Sequence, residues 1–229
     1  MAKAKSEPKK VSFAVDAERR VSGLLLAPKD ARALYVLAHG AGAGMTHPFL
    51  ATISTLLAER GIATLRYQFP YMEKGSRRPD PPKVAEATVR AVLGEAERLA
   101  PGLPLFAGGK SFGGRMTSQA EATQHLPGVR GLAFLGFPLH PPGAPAVTRG
   151  DHLSAVGIPM LFLQGTNDEF ADLALLRPLV KKLGRNSTLH LIANANHSFR
   201  VPAKTSRSPA DINRELTDTV AAWIDGVLA

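Results

Sequence analysis

Three residues well separated along the chain, Ser111, Asp168 and His197, have the types that acyl-transfer chemistry needs. A serine hydroxyl attacks a carbonyl only when a base removes its proton. An imidazole does this best when a carboxylate fixes its tautomer. Ser111 stands in Gly109-Lys110-Ser111-Phe112-Gly113. Such a segment, between a strand and a helix, puts serine on a strained turn where only small neighbours fit against adjoining backbone. The same letters contain Gly109-Lys110-Ser111, the end of a phosphate loop. That loop requires a glycine, four residues, then Gly-Lys-Ser or Gly-Lys-Thr. Pro104 occupies the first glycine position, and Leu105 to Gly108 read as a buried strand rather than a cradle. The nucleotide reading fails on that spacing.

The elements that must position these residues alternate along the chain. "VSFAVDA" and "RVSGLLLAP" predict a hairpin. "ALYVLAHG", "IATLRYQF", "LPLFAGG", "VRGLAFLGFP", "IPMLFLQGT" and "STLHLIAN" predict strands, several of them apolar throughout, as in a sheet covered on both faces. Between them, "HPFLATISTLLAERG", "PPKVAEATVRAVLGEAERLA", "SFGGRMTSQAEATQ", "DLALLRPLVKKLG" and "PADINRELTDTVAAWIDGVL" carry helical spacing. Gly61 ends the first of these. Pro178 predicts a kink or a late start in the fourth. The alternation predicts an α/β class with a mostly parallel central sheet and helices on both faces. "PYMEKGSRRPDPP" and "PLHPPGAPAVTRGDHLSAVG" read as irregular stretches after strand ends, where open α/β sheets bind ligands. The second is too short for a large helical lid, so an open site and small or accessible acyl substrates are expected.

Ser111, Asp168 and His197 all follow predicted strands, in the order nucleophile, acid, base. Helix N-capping is the competing job for Ser111. Glu169 and Asp172 are neighbours that could replace Asp168. There are 7 histidines. His190 falls within a strand, His125 at a helix end, and His47, His140 and His152 come too early in this order. "VLAHGAGAG" places His39, Gly40 and Ala41 after a strand. Ala41 and Phe112 are the expected donors of backbone N–H groups to an oxyanion. Arg66, Lys110 and Arg115 are candidates for binding an anionic substrate, with structural pairing the competing reading for Arg115. His39, Gly40 and His140 complete the candidate substrate-binding set, with a structural role the competing reading for His140.

From about Val11 onward the chain resembles the α/β-hydrolases. More narrowly, "LAHGAGAGMTHPFL", "LRYQFPYMEKGSRRPDPP", "GGKSFGGRM", "GFPLHPPG", "GTND" and "NHSF" resemble the small hydrolase-like family of testis-expressed protein thirty and the third subunit of the non-specific-lethal complex. The chain is more distantly similar to dienelactone hydrolases, which usually carry a cysteine where this sequence has Ser111. The resemblance implies an α/β-hydrolase fold and supports the triad more than a particular reaction; the triad itself points to a serine esterase, whose mechanism needs no cofactor, and no metal-binding cluster is visible in the sequence. Because the complex subunit acts through protein contacts, the resemblance also implies the alternative of a non-catalytic interaction protein on the same scaffold.

With 229 residues, the chain fits one well-buried domain, expected over residues 11–229 behind a flexible basic tail over residues 1–10. No apolar run approaches the ~20 residues of a membrane helix. "MAKAKSEPKK" has no apolar stretch after it and does not read as a secretory signal. The cysteine count of 0 excludes disulfides and thiolate nucleophiles and suits a cytoplasmic protein. The net charge of +9 is spread over residues such as Arg77, Arg78, Lys181, Arg200 and Lys204, without a nucleic-acid recognition motif. A small acyl substrate is the expected partner, with a protein partner as the alternative.

Overall fold

The computed structural model describes residues 7–229. Its strands are β1 (Lys9–Ala14), β2 (Arg20–Leu26), β3 (Ala33–Ala38), β4 (Ile62–Tyr67), β5 (Leu105–Lys110), β6 (Val129–Leu135), β7 (Met160–Gly165) and β8 (Ser187–Ile192). Its helices are α1 (Pro48–Glu59), α2 (Pro70–Glu73), α3 (Pro82–Leu99), α4 (Phe112–Thr123), α5 (Leu173–Leu183) and α6 (Pro209–Leu228). One sheet runs in the order β1-β2-β4-β3-β5-β6-β7-β8. β2 pairs antiparallel with β1 and β4, and every other pairing is parallel.

Burial on both faces explains the apolar strands. In β3, Leu34, Val36 and Ala38 enter one core, whereas Ala33, Tyr35 and Leu37 enter the other. The first core is closed by α3, α4 and α5, for example through Val89, Met116 and Leu176. The second is closed by α1 and α6 through Leu50, Ile53, Leu57, Ile212 and Leu216. After β3 the chain crosses over α1 to β4 on one side, and the next crossover, α3, delivers β5 to the other side of β3. That reversal makes the carboxyl ends of β3 and β5 a topological switch point, the place where open α/β sheets bind ligands.

Local details depart from the sequence reading in three places. The expected tail over residues 1–10 ends early, because Lys9 and Lys10 begin β1 and pair with Leu25 and Leu24. The rest of that tail, residues 1–6, lies outside the described residues. Both stretches expected to be irregular contain a helical piece: α2 in the first, and a 3-10 run, Thr148–Ala155, in the second. α5 starts at Leu173, capped by the Asp172 side chain, and continues through Pro178. Its start is therefore not delayed. Among the described residues, no lid domain interrupts the sheet. Among the described residues, no helix is long and apolar enough to cross a membrane.

Candidate active site

The turn from β5 into α4 explains the glycines around Ser111. Ser111 has φ +49° and ψ −116°, a conformation costly for a residue with a side chain. A Cβ on Gly109 would lie 2.3 Å from the Ala38 carbonyl oxygen. A Cβ on Gly113 would lie 2.6 Å from both Ala38 Cβ and the His39 carbonyl oxygen. The flanking glycines thus let α4 start directly against the end of β3. Ser111 occupies the N-cap position of α4, yet its hydroxyl makes no capping hydrogen bond. The capping role that competed for this serine is therefore absent.

The hydroxyl is directed elsewhere. Ser111 Oγ lies 2.8 Å from His197 Nε2, and His197 Nδ1 lies 2.8 Å and 3.0 Å from the two carboxylate oxygens of Asp168. An ionised carboxylate only accepts, so Nδ1 carries the proton and Nε2 presents its lone pair to the serine O–H. The Asp168 side chain is fully buried. It also accepts the Phe170 N–H at 2.8 Å and a short bond from Gln164 Nε2. The neighbours that could have replaced it do other things: Asp172 caps α5, and Glu169 is exposed. The His197 ring packs against Phe170 with centroids 4.3 Å apart. Its loop is shaped by Asn196, whose side-chain oxygen accepts the Ser198 and Arg200 N–H groups.

The segment after β3 lies on the other side of the serine. A Cβ on Gly40 would be 3.7 Å from Ser111 Cβ, so this backbone runs directly alongside the turn. The Gly42 N–H donates to the Tyr71 hydroxyl at 3.2 Å, and the Met45 N–H donates to Gln68 Oε1 at 2.8 Å. Among the described residues, the Ala41 and Phe112 N–H groups have no protein acceptor, which leaves both free for a ligand oxygen.

His39 and His140, two of the candidate substrate-binding residues, have both ring nitrogens bonded to backbone, which for His140 is the structural role that competed from sequence. His39 donates from Nδ1 to the Gly40 carbonyl at 2.8 Å and accepts the Phe69 N–H on Nε2 at 3.1 Å. It is buried, and burial pushes its pKa down to about 4, so the ring stays neutral at pH 7. His140 donates to the Pro141 carbonyl and accepts the Asp172 N–H, each at 2.8 Å. With both ring nitrogens engaged by backbone, neither imidazole is offered to a substrate.

The three candidate cations differ. Arg66 reaches the Met45 carbonyl at 3.0 Å and braces the segment after β3, while its Nε is buried without a partner. Lys110 Nζ is also buried without a hydrogen bond and lies 5.5 Å from the Phe199 ring centroid. A Cβ on Gly136 would be 3.0 Å from Lys110 Nζ, 3.5 Å from His197 Nδ1 and 3.6 Å from Asp168 Oδ2. The ammonium therefore sits beside the acid–imidazole pair. Burial pushes its pKa down to about 8, partly offset by Asp168 and Glu169. Arg115 extends from the first turn of α4, and its buried Nε has no partner either. The carboxylate pairing that competed as its explanation is absent among the described residues.

Gln164 and Tyr71 were missed from sequence. Gln164 is fully buried and joins Asp168 to the Phe137 N–H, which it accepts at 2.9 Å. Its signal was present: one amide in the otherwise apolar "MLFLQG". Tyr71 had no comparable signal, because its hydroxyl meets Gly42 only through the tertiary fold.

Solved structures with the same fold include a dienelactone hydrolase from Anabaena variabilis, with TM-score 0.74 and 20% identity, covering 96% of this chain and 98% of that one. A serine hydrolase without a lid from Xanthomonas campestris has TM-score 0.72 and 20% identity, covering 95% of each chain. Est1E from Butyrivibrio proteoclasticus has TM-score 0.72 and 16% identity, covering 97% of this chain and 99% of that one. At these identities the likeness concerns the fold. Residues 31–225 match the family described as alpha/beta hydrolase domain. That match takes in the turn at Ser111, the loops carrying Asp168 and His197 and the strands beneath them, and the chain belongs to this family.

Proposed function

We propose that the protein is a serine hydrolase of the esterase kind, cleaving an ester or related acyl bond through an acyl-serine intermediate. The observation that carries this reading is the continuous chain from Ser111 Oγ through His197 to buried Asp168. His197 Nε2 takes the hydroxyl proton as Ser111 Oγ attacks the acyl carbon. Asp168 holds the ring and stabilises the imidazolium. The Ala41 and Phe112 N–H groups receive the developing oxyanion, aided by the positive end of the α4 dipole. As the tetrahedral adduct collapses, the bond to the leaving alkoxide breaks and His197 returns the proton to it. Water then attacks the acyl-serine with His197 again as base, releasing the acid and restoring Ser111.

The absence of a lid domain favours small or accessible acyl groups. Est1E is known with ferulic acid bound, which supports a hydroxycinnamoyl ester as a first probe here. The cysteine-free composition supports a cytoplasmic setting. The test is intact-mass labelling with a fluorophosphonate. A single adduct on the wild type, absent from Ser111→Ala of equal thermal stability, supports the reading. A folded wild type without an adduct rejects it in favour of a non-catalytic interaction protein.

A further inference from the structure

A cavity of about 680 Å³ lies between the first residues of α1 and α6. Both helices follow strands, β3 and β8, so they start at the carboxyl edge of the sheet, the edge that carries Ser111. The cavity walls continue the site. On one side, His47, Pro48 and Phe49 extend the segment that runs alongside the serine turn. On the other, Ser198 to Pro202 follow His197 without a gap, and successive Cα atoms are only about 3.8 Å apart.

Phe199 borders both places. Its ring stacks on that of Phe49, with centroids 5.8 Å apart and planes at 15°. Its centroid also lies 5.5 Å from the Nζ of Lys110, the residue before Ser111, whose ammonium sits beside the acid–imidazole pair. Phe199 reaches this position from a backbone φ of +57°, which is uncommon for an aromatic residue. Asn196 holds the strained turn: its carbonyl accepts the Phe199 N–H at 2.9 Å, and its side-chain oxygen accepts the Ser198 and Arg200 N–H groups at 3.0 Å each. Strain maintained in this way clusters where a side chain must face a ligand.

The lining is mostly carbon, from Pro48, Phe49, Phe199, Val201 and Pro202. Arg207, which also lines it, is paired with Glu215, and Arg200 is exposed. Cavities for small ligands run to about 300–1,000 Å³ and are mainly apolar. Position decides which part of an ester this one suits. His197 Nε2 must return its proton to the departing oxygen, which therefore lies about 3 Å from it. The group on that oxygen leaves along the His197 loop, while the acyl carbon stays bonded to Ser111 Oγ.

We propose that this cavity holds the alcohol part of the ester, an aromatic alcohol whose ring packs against Phe49 and Phe199. This rests on the esterase reading and narrows its substrates to aryl or arylalkyl esters. Ser111 Oγ bonds to the acyl carbon, the bond from that carbon to the alcohol oxygen breaks, and His197 protonates the oxygen as the alcohol departs through the cavity.

The experiment compares 2-naphthyl acetate with phenyl acetate, alike in acyl group and differing by a fused ring. The expected wild-type ratio of kcat/KM is at least about tenfold in favour of the naphthyl ester. Thr52→Phe on α1 and Asn213→Phe on α6 fill the cavity from two lining positions and each lower that ratio by about tenfold. The ratio of phenyl butanoate to phenyl acetate, which reads the acyl side, and the rate of labelling by a small fluorophosphonate stay at wild-type values. A wild-type naphthyl preference near one, a preference kept in both variants, or a loss in the acyl ratio instead overturns the proposal. Should no ester turn over, the esterase reading fails by itself. The cavity is then read by heat denaturation with 2-naphthol. A raised midpoint, lost in Thr52→Phe, sustains a site for an aromatic alcohol; no rise, or a rise kept in both variants, overturns it.

Discussion

Gly113→Ala should damage both stability and chemistry, although it adds one methyl group. The new Cβ would lie 2.6 Å from Ala38 Cβ and 2.6 Å from the His39 carbonyl oxygen. Carbon atoms in contact prefer about 3.5 Å or more, so α4 and the end of β3 must separate by about 1 Å. Neither side yields easily, because Ala38 belongs to a central strand paired on both edges. Overpacking of this kind costs about 1–3 kcal/mol, offset by up to about 1 kcal/mol from the better helix propensity of alanine. For a chain this long, each kcal/mol of net loss lowers the thermal midpoint by about 2–4 °C. The same displacement moves the Phe112 N–H away from the Ala41 N–H. A 1 Å error in such an arrangement costs about a hundredfold in rate. The assays are heat denaturation and the rate of fluorophosphonate labelling. Gly94→Ala is the control: its Cβ would have nothing within 4 Å, so it should stabilise α3 and leave labelling unchanged. Wild-type stability and labelling in Gly113→Ala would refute the steric account of the turn.

Three other perturbations test the charges and braces. The His39 pKa, about 4, lies below the usual 6.5, so the unfolded chain binds a proton that the folded chain refuses. Stability contributed by this residue is therefore full above pH 6.5 and declines towards pH 4, by on the order of 3 kcal/mol. Urea midpoints at pH 7 and 4.5 should converge in His39→Gln. Lys110 has the opposite balance at neutral pH: with a folded pKa of about 8 against 10.5, its buried ammonium destabilises below pH 8, and the cost fades as pH rises to 10.5. Lys110→Met should raise the thermal midpoint at pH 7, with a gain of up to about 3 kcal/mol that shrinks by pH 10; no gain at pH 7 refutes this. Gln164→Leu leaves the Phe137 N–H without its acceptor and Asp168 without one donor, at about 1–3 kcal/mol. It should lower kcat for any ester turned over with KM little changed, and an unchanged kcat would show that Asp168 needs no support from Gln164.

The parts of the site legible in sequence are those set by local rules. The β5–α4 turn announces itself because its glycines answer a contact with β3 that recurs wherever a helix starts this close to a strand. Asp168 and His197 follow apolar strands whose ends are readable from composition. What stayed hidden depends on which strand lies beside which. The bonds of His39 to Phe69 and of Tyr71 to Gly42 exist because β3 and β4 are neighbours. Nothing in "LAHGAG" distinguishes an imidazole aimed at substrate from one aimed at backbone. Pro178 does not delay α5: the helix is anchored by Leu176 and Val180 and by its Asp172 cap, and that support outweighs the local cost of proline.

The unpartnered cations share one physical logic. Arg66, Lys110 and Arg115 each keep a buried nitrogen without a hydrogen bond, and all three lie on the carboxyl side of the sheet within reach of the serine turn or its adjoining segments. A domain selected for stability alone would pair them or replace them with apolar side chains. Their cost at neutral pH is carried by the two cores beneath, where β3 and β5 are covered on both faces. Acyl transfer develops negative charge at the carbonyl oxygen and then on the departing alkoxide. Fixed positive charge that is already desolvated stabilises such charge without further reorganisation, whereas surface lysines in water would have to give up hydration first.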